Sequence, residues 1–366
     1  MREFLRAAAA GIMMAALVCA SSEAAEKEPP PDPDLGTDIV HAVAFQDQLW
    51  VLGESSGNGS QGGALVSFML SDGDRKLRLR GAVSLEKTGG RLFALTSDGP
   101  FEWKDGKFAA LTAPALKAGE TPTGLLAVGD RLGLETSAHL FVLEGTDWRV
   151  LTTFKRVAPP KGAFSMDALG PYASAKGMTA SAKTLYTGFN HGEWGGGLGY
   201  RDLSSGATGN VRDTTETPSD GRPQSGVDDN INAIIADPAR DDCAIVASGL
   251  IHFMASGRLL RACGDTATLL FSYTPPKSAP ESRVIDDLSE AFFGLVPAKD
   301  GFWAVSNAAV YRFGSSGQPQ RYVLSRYEPW HGLWINRETP GALVLVTEIN
   351  RRFSVNSGTP LIVPLD

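Results

Sequence analysis

A short pattern recurs along this chain and constrains its fold more than any other feature. Each copy has an apolar run, a serine, two or three small or polar residues, and then an apolar–aromatic pair. The copies are centred on Ser97, Ser137, Ser248 and Ser306, and Thr347 in "LVTEINRRF" gives a fifth. Successive copies lie 40, 111, 58 and 41 residues apart. A step of about 40 is the length of a four-stranded repeat unit, and the step of 111 leaves room for two units.

Glycine-containing turns supply the further strands of each unit, because such turns between alternating apolar residues indicate hairpins. An additional apolar segment, such as "INAIIAD" or "FFGLVPA", precedes each core. The turns are "KDGK" (Lys104–Lys107), "EGTD" (Glu144–Asp147), "SSGA" (Ser204–Ala207), "ASGR" (Ala255–Arg258) and "SSGQ" (Ser315–Gln318).

Four short strands per unit, with no long helical pattern, predict an all-β fold. We expect a β-propeller of seven four-stranded blades, and the alternative is a pair of β-sandwiches. The predicted blades begin near Ile39, Ala82, Thr121, Phe164, Asp229, Leu288 and Ser325.

Two segments carry a resemblance to known proteins. "YRDLSSGATG" is similar to the Asp-x-x-Ser/Thr-Gly turn of quinoprotein-like blades, although the Trp that follows in that pattern is absent, and "GEWGGGL" resembles a segment of uncharacterised proteobacterial propellers. Over nearly all of the mature chain, the sequence resembles secreted bacterial propellers of the BNR, regulator-propeller and quinoprotein-like kinds. The resemblance implies fold and export but no activity, because this fold serves many functions.

The N-terminus has the features of a secretory signal. Arg2 and Arg6 precede an apolar run, Ala7–Val18, that is too short to span a bilayer, and small residues follow it. We predict a signal peptide over residues 1–25. A lipoprotein anchored through Cys19 is the alternative, although Val18 is unusual before such a cysteine.

The remaining chain is predicted to be a Pro-rich linker over residues 26–38 and a single propeller domain over residues 39–366. We expect an exported monomer, periplasmic or extracellular, without a transmembrane segment. The formal net charge of −7 argues against nucleic acid and an anionic membrane as partners.

Two cysteines remain after cleavage, Cys243 and Cys263. An even count in an exported chain favours a disulfide. The predicted strand map opposes it, because it assigns Cys243 to the second strand of a blade and Cys263 to the fourth. Both outcomes stay open at this stage.

Candidate binding residues come from the loops that should converge at one mouth of the channel. These loops join the second and third strands of each blade, or lead into the first strand of the next. They carry His191, Glu193, Trp194, Asp228, Asp229, Asn230, Trp330 and His331, with Asp98, Glu290 and Asn307 among their other polar residues. His139 and His252 fall in or beside strands, where a structural histidine is expected.

His191 and Glu193 are the sharpest pair, since imidazole and carboxylate can ligate a divalent metal or act as a base and its partner. Trp194 could stack on a sugar or an aromatic ligand. A structural interpretation competes, in which "GEWGGG" is a wide turn packed on a blade edge.

No complete catalytic motif is present, so we predict a module that binds a small molecule, a glycan or an envelope protein. The alternative is a metal-assisted lyase or hydrolase that uses His191 and Glu193. A divalent metal is the cofactor to test. A quinone is not expected, because the chain lacks the repeated Trp-docking motif.

Overall fold

The computed structural model describes residues 39–53, 62–71, 75–154, 175–190, 192, 195–215, 226–252, 254–276, 289–314, 318–323, 334–336, 342–346 and 361–364. Every regular element in these ranges is a strand. No helix among them has the length and hydropathy to cross a bilayer.

The strands group into antiparallel sheets that we call blades. Blade 1 contains β1 (Ile39–Phe45), β2 (Gln48–Gly53), β3 (Gly63–Met69) and the first half of β4 (Arg75–Thr88); blade 2 contains the second half of β4, β5 (Arg91–Thr96), β6 (Gly99–Lys104) and β7 (Lys107–Ala110). Blade 3 contains β8 (Pro122–Val128), β9 (Arg131–Thr136), β10 (His139–Glu144) and β11 (Asp147–Thr153); blade 4 contains β12 (Ala175–Ala180), β13 (Thr184–Asn190), β14 (Gly196–Asp202) and β15 (Thr208–Asn210).

The second half of the chain continues in the same way. Blade 5 contains β17 (Ile231–Ala236), β18 (Cys243–His252), β19 (Met254–Cys263) and β20 (Thr266–Phe271), with the short β16 (Arg212–Asp213) parallel to β20 at its edge. Blade 6 contains β21 (Phe292–Ala298), β22 (Gly301–Ser306), β23 (Ala309–Gly314) and β24 (Gln320–Val323), and the last sheet contains β25 (Trp334–Asn336), β26 (Ala342–Val346) and β27 (Leu361–Pro364).

One strand of each sheet lies innermost and contacts the innermost strands of both neighbouring sheets. Among the described residues, these contacts connect β1, β4, β8, β12, β17, β21 and β27 in a closed circle. The all-β propeller fold follows from this arrangement, because a circle of radially stacked sheets is the defining feature of that architecture.

Burial explains why second strands have nearly continuous apolar sequences. β5 and β9 share a pattern of one exposed residue followed by five buried ones. Each sheet is covered on both faces by its neighbours, so both sets of alternating side chains are buried. The outer strand β11, by contrast, is mostly exposed.

The last sheet differs from the others in which of its strands is innermost. In blades 1 to 6 it is the first of the four strands, whereas here it is β27, the C-terminal strand, which contacts β1 and β21. Ile362 packs with Trp303 of blade 6, and Val363 packs with Val51 of blade 1. The C-terminal strand therefore joins the two ends of the circle.

The predicted strand map of blade 5 is wrong. "ASGR" was expected to be a turn, but Ala255–Arg258 lies inside β19, so Cys263 ends the third strand rather than the fourth. Cys243 and Cys263 are direct cross-strand partners with Cα atoms 4.4 Å apart, and their Sγ atoms are bonded. A separation of about 4.5 Å is normal for one class of antiparallel pair, and it suits a disulfide.

Candidate functional site

In blades 3 and 6, the turn after the second strand and the segment that enters the blade meet at one end of the sheet, where the mouth is predicted. The Ser137 amide donates to the Thr121 carbonyl at 3.0 Å, and the Asn307 amide donates to the Ala291 carbonyl at 2.9 Å. Each bond connects the turn after a second strand to the segment that enters the same blade. We call this end of the molecule the mouth end.

The structure describes three of the eight candidate residues, Asp228, Asp229 and Asn230. They form the segment that enters β17 at the mouth end, directly before Ile231. The other candidates, which are His191, Glu193, Trp194, Trp330 and His331, lie outside the described residues.

Asn230 is buried and its side chain is occupied by the backbone of blade 4. Its Nδ2 donates to the Gly192 carbonyl at 2.9 Å, and the Gly192 amide donates to Asn190 Oδ1 at 2.8 Å. Asn190 Nδ2 in turn donates to Asn232 Oδ1. This amide chain fixes the described ends of the "NHGEWGGG" segment onto the entry of blade 5.

Close packing accounts for two glycines of that region. A Cβ on Gly196 would lie 2.3 Å from the Asp229 carbonyl oxygen and 2.7 Å from Asn230 Cα. A Cβ on Gly188 would lie 2.2 Å from the Ile231 side chain. These positions are glycine because the next chain segment crosses directly over them.

Blade 5 repeats this crossing against blade 6. Gly249 and Gly257 face each other across β18 and β19, and a Cβ on either would lie 2.7 Å from Ala291 Cα. β18 and β19 continue beyond the crossing to His252 and Met254. The hairpin therefore projects past the entry of blade 6 at the mouth end.

Asp229 belongs to an ion-pair cluster rather than standing free at the mouth. Arg258 Nη2 contacts carboxylate oxygens of Asp229 at 2.6 Å and Asp213 at 2.5 Å. Burial would raise the pKa of Asp213, but hydrogen bonds from Thr215 and Arg258 outweigh it and lower that pKa below its usual range. Arg258 therefore pairs with both carboxylates, while Asp228 beside them is exposed.

Glu120 and Glu290 occupy positions equivalent to Asp229, because each lies two residues before an inner strand. Glu120 Oε1 lies 2.7 Å from His139 Nδ1 and also accepts from the Thr136 hydroxyl. Burial alone would raise the pKa of Glu120. Hydrogen bonds from Thr136, His139 and the Lys117 amide outweigh burial and lower the pKa to about 2. His139 is buried and partnered, as expected for a structural histidine.

Glu290 has a similar arrangement, with an arginine in place of the histidine. Its Oε2 accepts from the hydroxyls of Ser306 at 2.5 Å and Tyr311 at 2.7 Å, and its Oε1 contacts Arg321 Nη2 at 2.5 Å. Burial, followed by the neighbouring Glu290 charge, raises the pKa of Tyr311. Arg321 also lies over the Tyr273 ring at 4.4 Å.

Blades 3 and 6 share a hydroxyl side chain at the end of the second strand, and the sequence pattern identified the wrong residue for it in blade 3. In blades 3 and 6, the side chains of Thr136 and Ser306 accept amide hydrogens of the following turn and bond the acid before the inner strand. The sequence pattern aligned Ser137 with Ser306, although the residue equivalent to Ser306 is Thr136, one position earlier. The acid is Glu in blades 3 and 6 and Asp in blade 5, and it lies 16 residues before the hydroxyl in blades 3 and 6, so no short linear motif links the two.

The described residues contain no group of three or more His, Cys, Asp and Glu side chains placed to hold a metal ion. His191 and Glu193 lie outside those residues, so a metal site at this pair stays a prediction.

Comparison with solved structures finds similar proteins at low identity. The chain is 14% identical to the extracellular domain of BT4673 from B. thetaiotaomicron, with a TM-score of 0.39. The match covers 88% of this chain but only 40% of the BT4673 domain. It is 12% identical to YCF48 bound to D1 peptide, with a TM-score of 0.47 and coverage of 93% and 97%. It is also 12% identical to PorZ, a bacterial surface component of the type-IX secretion system of Porphyromonas gingivalis, with a TM-score of 0.46 and coverage of 89% and 47%.

No family model matches the chain, and no curated protein matches it. Similarity at this level transfers no activity or ligand.

Proposed function

We propose that this protein is an exported binding module, a single seven-bladed propeller whose mouth end holds a small molecule, a glycan or an envelope protein. The observation that carries the proposal is the state of the carboxylates at that end. Glu120, Asp229 and Glu290 are each bonded to a His or Arg side chain of their own blade. Carboxylates held in this way fix loop geometry and are poorly suited to proton transfer, so the described part of the end favours a rigid binding surface.

Export and domain organisation are part of the same proposal. Residues 1–25 would be a signal peptide and residues 26–38 a linker, and the Cys243–Cys263 bond is of the kind that persists in oxidising compartments. The closed circle of seven inner strands supports the count of seven blades. Mass spectrometry of the secreted protein would give the N-terminus directly, and a lipid-modified Cys19 would contradict cleavage after residue 25.

The ligand site is proposed at His191, Glu193 and Trp194 with Asp228. A thermal-shift screen of saccharides and small metabolites against the purified protein should yield at least one ligand. Single alanine variants at these four positions should weaken its binding, measured by calorimetry, by about tenfold for the central contacts. Lys299→Ala, at an exposed turn of the opposite end, is the control.

Unchanged affinity in all four variants would refute the site. The same screen tests the metal-assisted alternative with Mg²⁺, Ca²⁺, Mn²⁺ and Zn²⁺. A metal-dependent rise in Tm that His191→Ala abolishes would favour the metal-assisted enzyme over the binding module.

A further inference from the structure

A concave surface lies between blades 1 and 2, at the end of the molecule opposite to the mouth end. It is a cleft of about 420 Å³, within the range of small-ligand sites. None of the mouth residues contributes to it. The lining residues are Phe45, Gln46, Gly90, Arg91, Trp103, Lys104, Asp105 and Gly106.

Three tight turns build the rim, so the cleft is formed before any ligand arrives. Each turn has two consecutive residues in the left-handed region, which is the conformation of type I′ hairpin turns. The φ angles are 50° and 57° at Gln46 and Asp47, 56° and 70° at Gly89 and Gly90, and 51° and 80° at Asp105 and Gly106.

Aromatic packing fixes one wall. The Trp103 ring lies edge-on to Trp50 at 4.5 Å and to Phe108 at 5.3 Å, and the Arg78 guanidinium lies 4.8 Å from its centre. Trp103 is only 9% exposed, so its contact with the cleft is a narrow, immobile edge beside Phe45. Such a surface suits the apolar face of a single ring better than a long alkyl chain.

The charge of this region is opposite to that of the whole protein. Residues 75–107 contain eight Lys and Arg but four Asp and Glu, whereas the chain has 34 and 41. Burial also raises the pKa of Glu86 to about 8, which removes most of its negative charge at neutral pH.

One lysine lines the cleft and a second lies beside it. Lys87 Nζ donates to the Ala44 carbonyl at 2.9 Å, next to Phe45, and Lys104 is an exposed lining residue. The Arg91 guanidinium binds both oxygens of Glu102 at 2.6 Å, which neutralises that carboxylate. Asp105 is then the remaining acidic lining residue.

We propose that this cleft binds an acidic saccharide, a sugar ring that carries a carboxylate or a phosphate. The ring packs against Phe45 and Trp103, the Gln46 amide bonds its hydroxyls, and Lys104 and Lys87 pair with the anionic group. A flat bilayer of anionic lipid fits less well, because Arg91 and Lys104 line a recess and the protein as a whole is acidic.

Calorimetry with trigalacturonate and with glucose 6-phosphate tests the proposal, and maltotriose is the neutral control. At least one anionic probe should bind with a Kd below about 1 mM at 50 mM NaCl, and maltotriose should bind at least tenfold more weakly. Raising NaCl to 200 mM should weaken anionic binding about threefold, because added salt screens exposed charges.

Lys104→Glu should weaken binding of the anionic probe by at least fivefold, since it replaces an attraction by a repulsion at contact distance. Lys299→Glu makes the same charge change in an exposed turn of blade 6 and should leave the affinity unchanged. The proposal is overturned if neither probe binds, or if both variants behave alike. Binding only to phosphatidylglycerol vesicles would overturn the saccharide proposal and identify an anionic membrane as the partner.

Discussion

Gly196→Ala tests whether the glycine-rich segment of blade 4 exists for packing. The added Cβ would lie 2.3 Å from the Asp229 carbonyl oxygen, 2.4 Å from the Phe189 carbonyl oxygen and 2.7 Å from Asn230 Cα. All three atoms belong to the backbone, so no side-chain rotation relieves the overlap. Carbon and oxygen normally approach to about 3.3 Å, so two chain segments must separate by roughly 1 Å.

The cost follows from what that separation disrupts. Overpacking of a well-packed interior costs about 1–3 kcal/mol. The Gly196 amide also donates to the Asp228 carbonyl at 2.9 Å, and losing such a bond costs about 1 kcal/mol. We expect Gly196→Ala to lower the free energy of unfolding by about 3 kcal/mol, or to lower Tm by about 4 °C for a cooperative domain of this size.

Guanidinium unfolding followed by tryptophan fluorescence measures the change. Gly314→Ala is the matched control, because no heavy atom lies within 4 Å of its Cβ position and its φ is not in the left-handed region. It should change the free energy of unfolding by less than about 0.5 kcal/mol. If the two variants agree within that margin, close packing does not explain the glycine at position 196.

Three further predictions concern the disulfide and two buried acids. Replacing both Cys243 and Cys263 by Ser should lower the free energy of unfolding by about 3 kcal/mol, because the bond closes a loop of 20 residues. Dithiothreitol should not change the stability of this double variant, and a double variant as stable as the oxidised protein would contradict the prediction. Burial raises the pKa of Glu86 to about 8, so the folded state retains a proton that the unfolded state loses above about pH 4.5, and the free energy of unfolding should fall as pH rises from there to about 8. Glu86→Gln should be more stable than the unmodified protein at about pH 8 but not at about pH 4. Equal pH profiles of the two proteins in chemical unfolding would refute the shift. Arg321→Met should cost about 3 kcal/mol in the same assay, because it leaves the buried Glu290 carboxylate without its cation, and a loss below about 1 kcal/mol would show that Ser306 and Tyr311 suffice.

Local patterns predicted much of the fold because its strands and turns are local. The segments "INAIIAD" and "FFGLVPA" became inner strands β17 and β21, and "KDGK" became the turn between β6 and β7. Alternating apolar residues and positive-φ turn residues are properties of a few neighbouring positions. They can therefore be read from one sequence.

Blade 5 shows where such reading fails. "ASGR" has the composition of a turn, yet its glycine faces Gly249 in the middle of a long hairpin. The glycine is required by Ala291 of the next blade, which is distant in sequence. A turn glycine and a close-packing glycine are indistinguishable until the neighbouring segment is placed.

The candidate site was predicted as a set of loops rather than as a chemical arrangement. The sequence singled out Asp229 and Asn230 as possible ligand contacts, but it did not show that Arg258 and the Gly192 carbonyl occupy their side chains. It also missed the shared position of Glu120, Asp229 and Glu290, because their partners are a histidine in one blade and arginines in the others.

The sequence by itself determined the all-β class, the spacing of the units and the presence of two cysteines able to pair, since these depend on short-range periodicity and composition. Only the tertiary structure decided that the cysteines face each other across β18 and β19 and that β27 joins the ends of the circle. It also decided that Glu120, Asp229 and Glu290 pair with side chains of their own blades. These facts depend on contacts between residues far apart in the chain. Such contacts form when sheets stack around a common centre, and no local pattern encodes them.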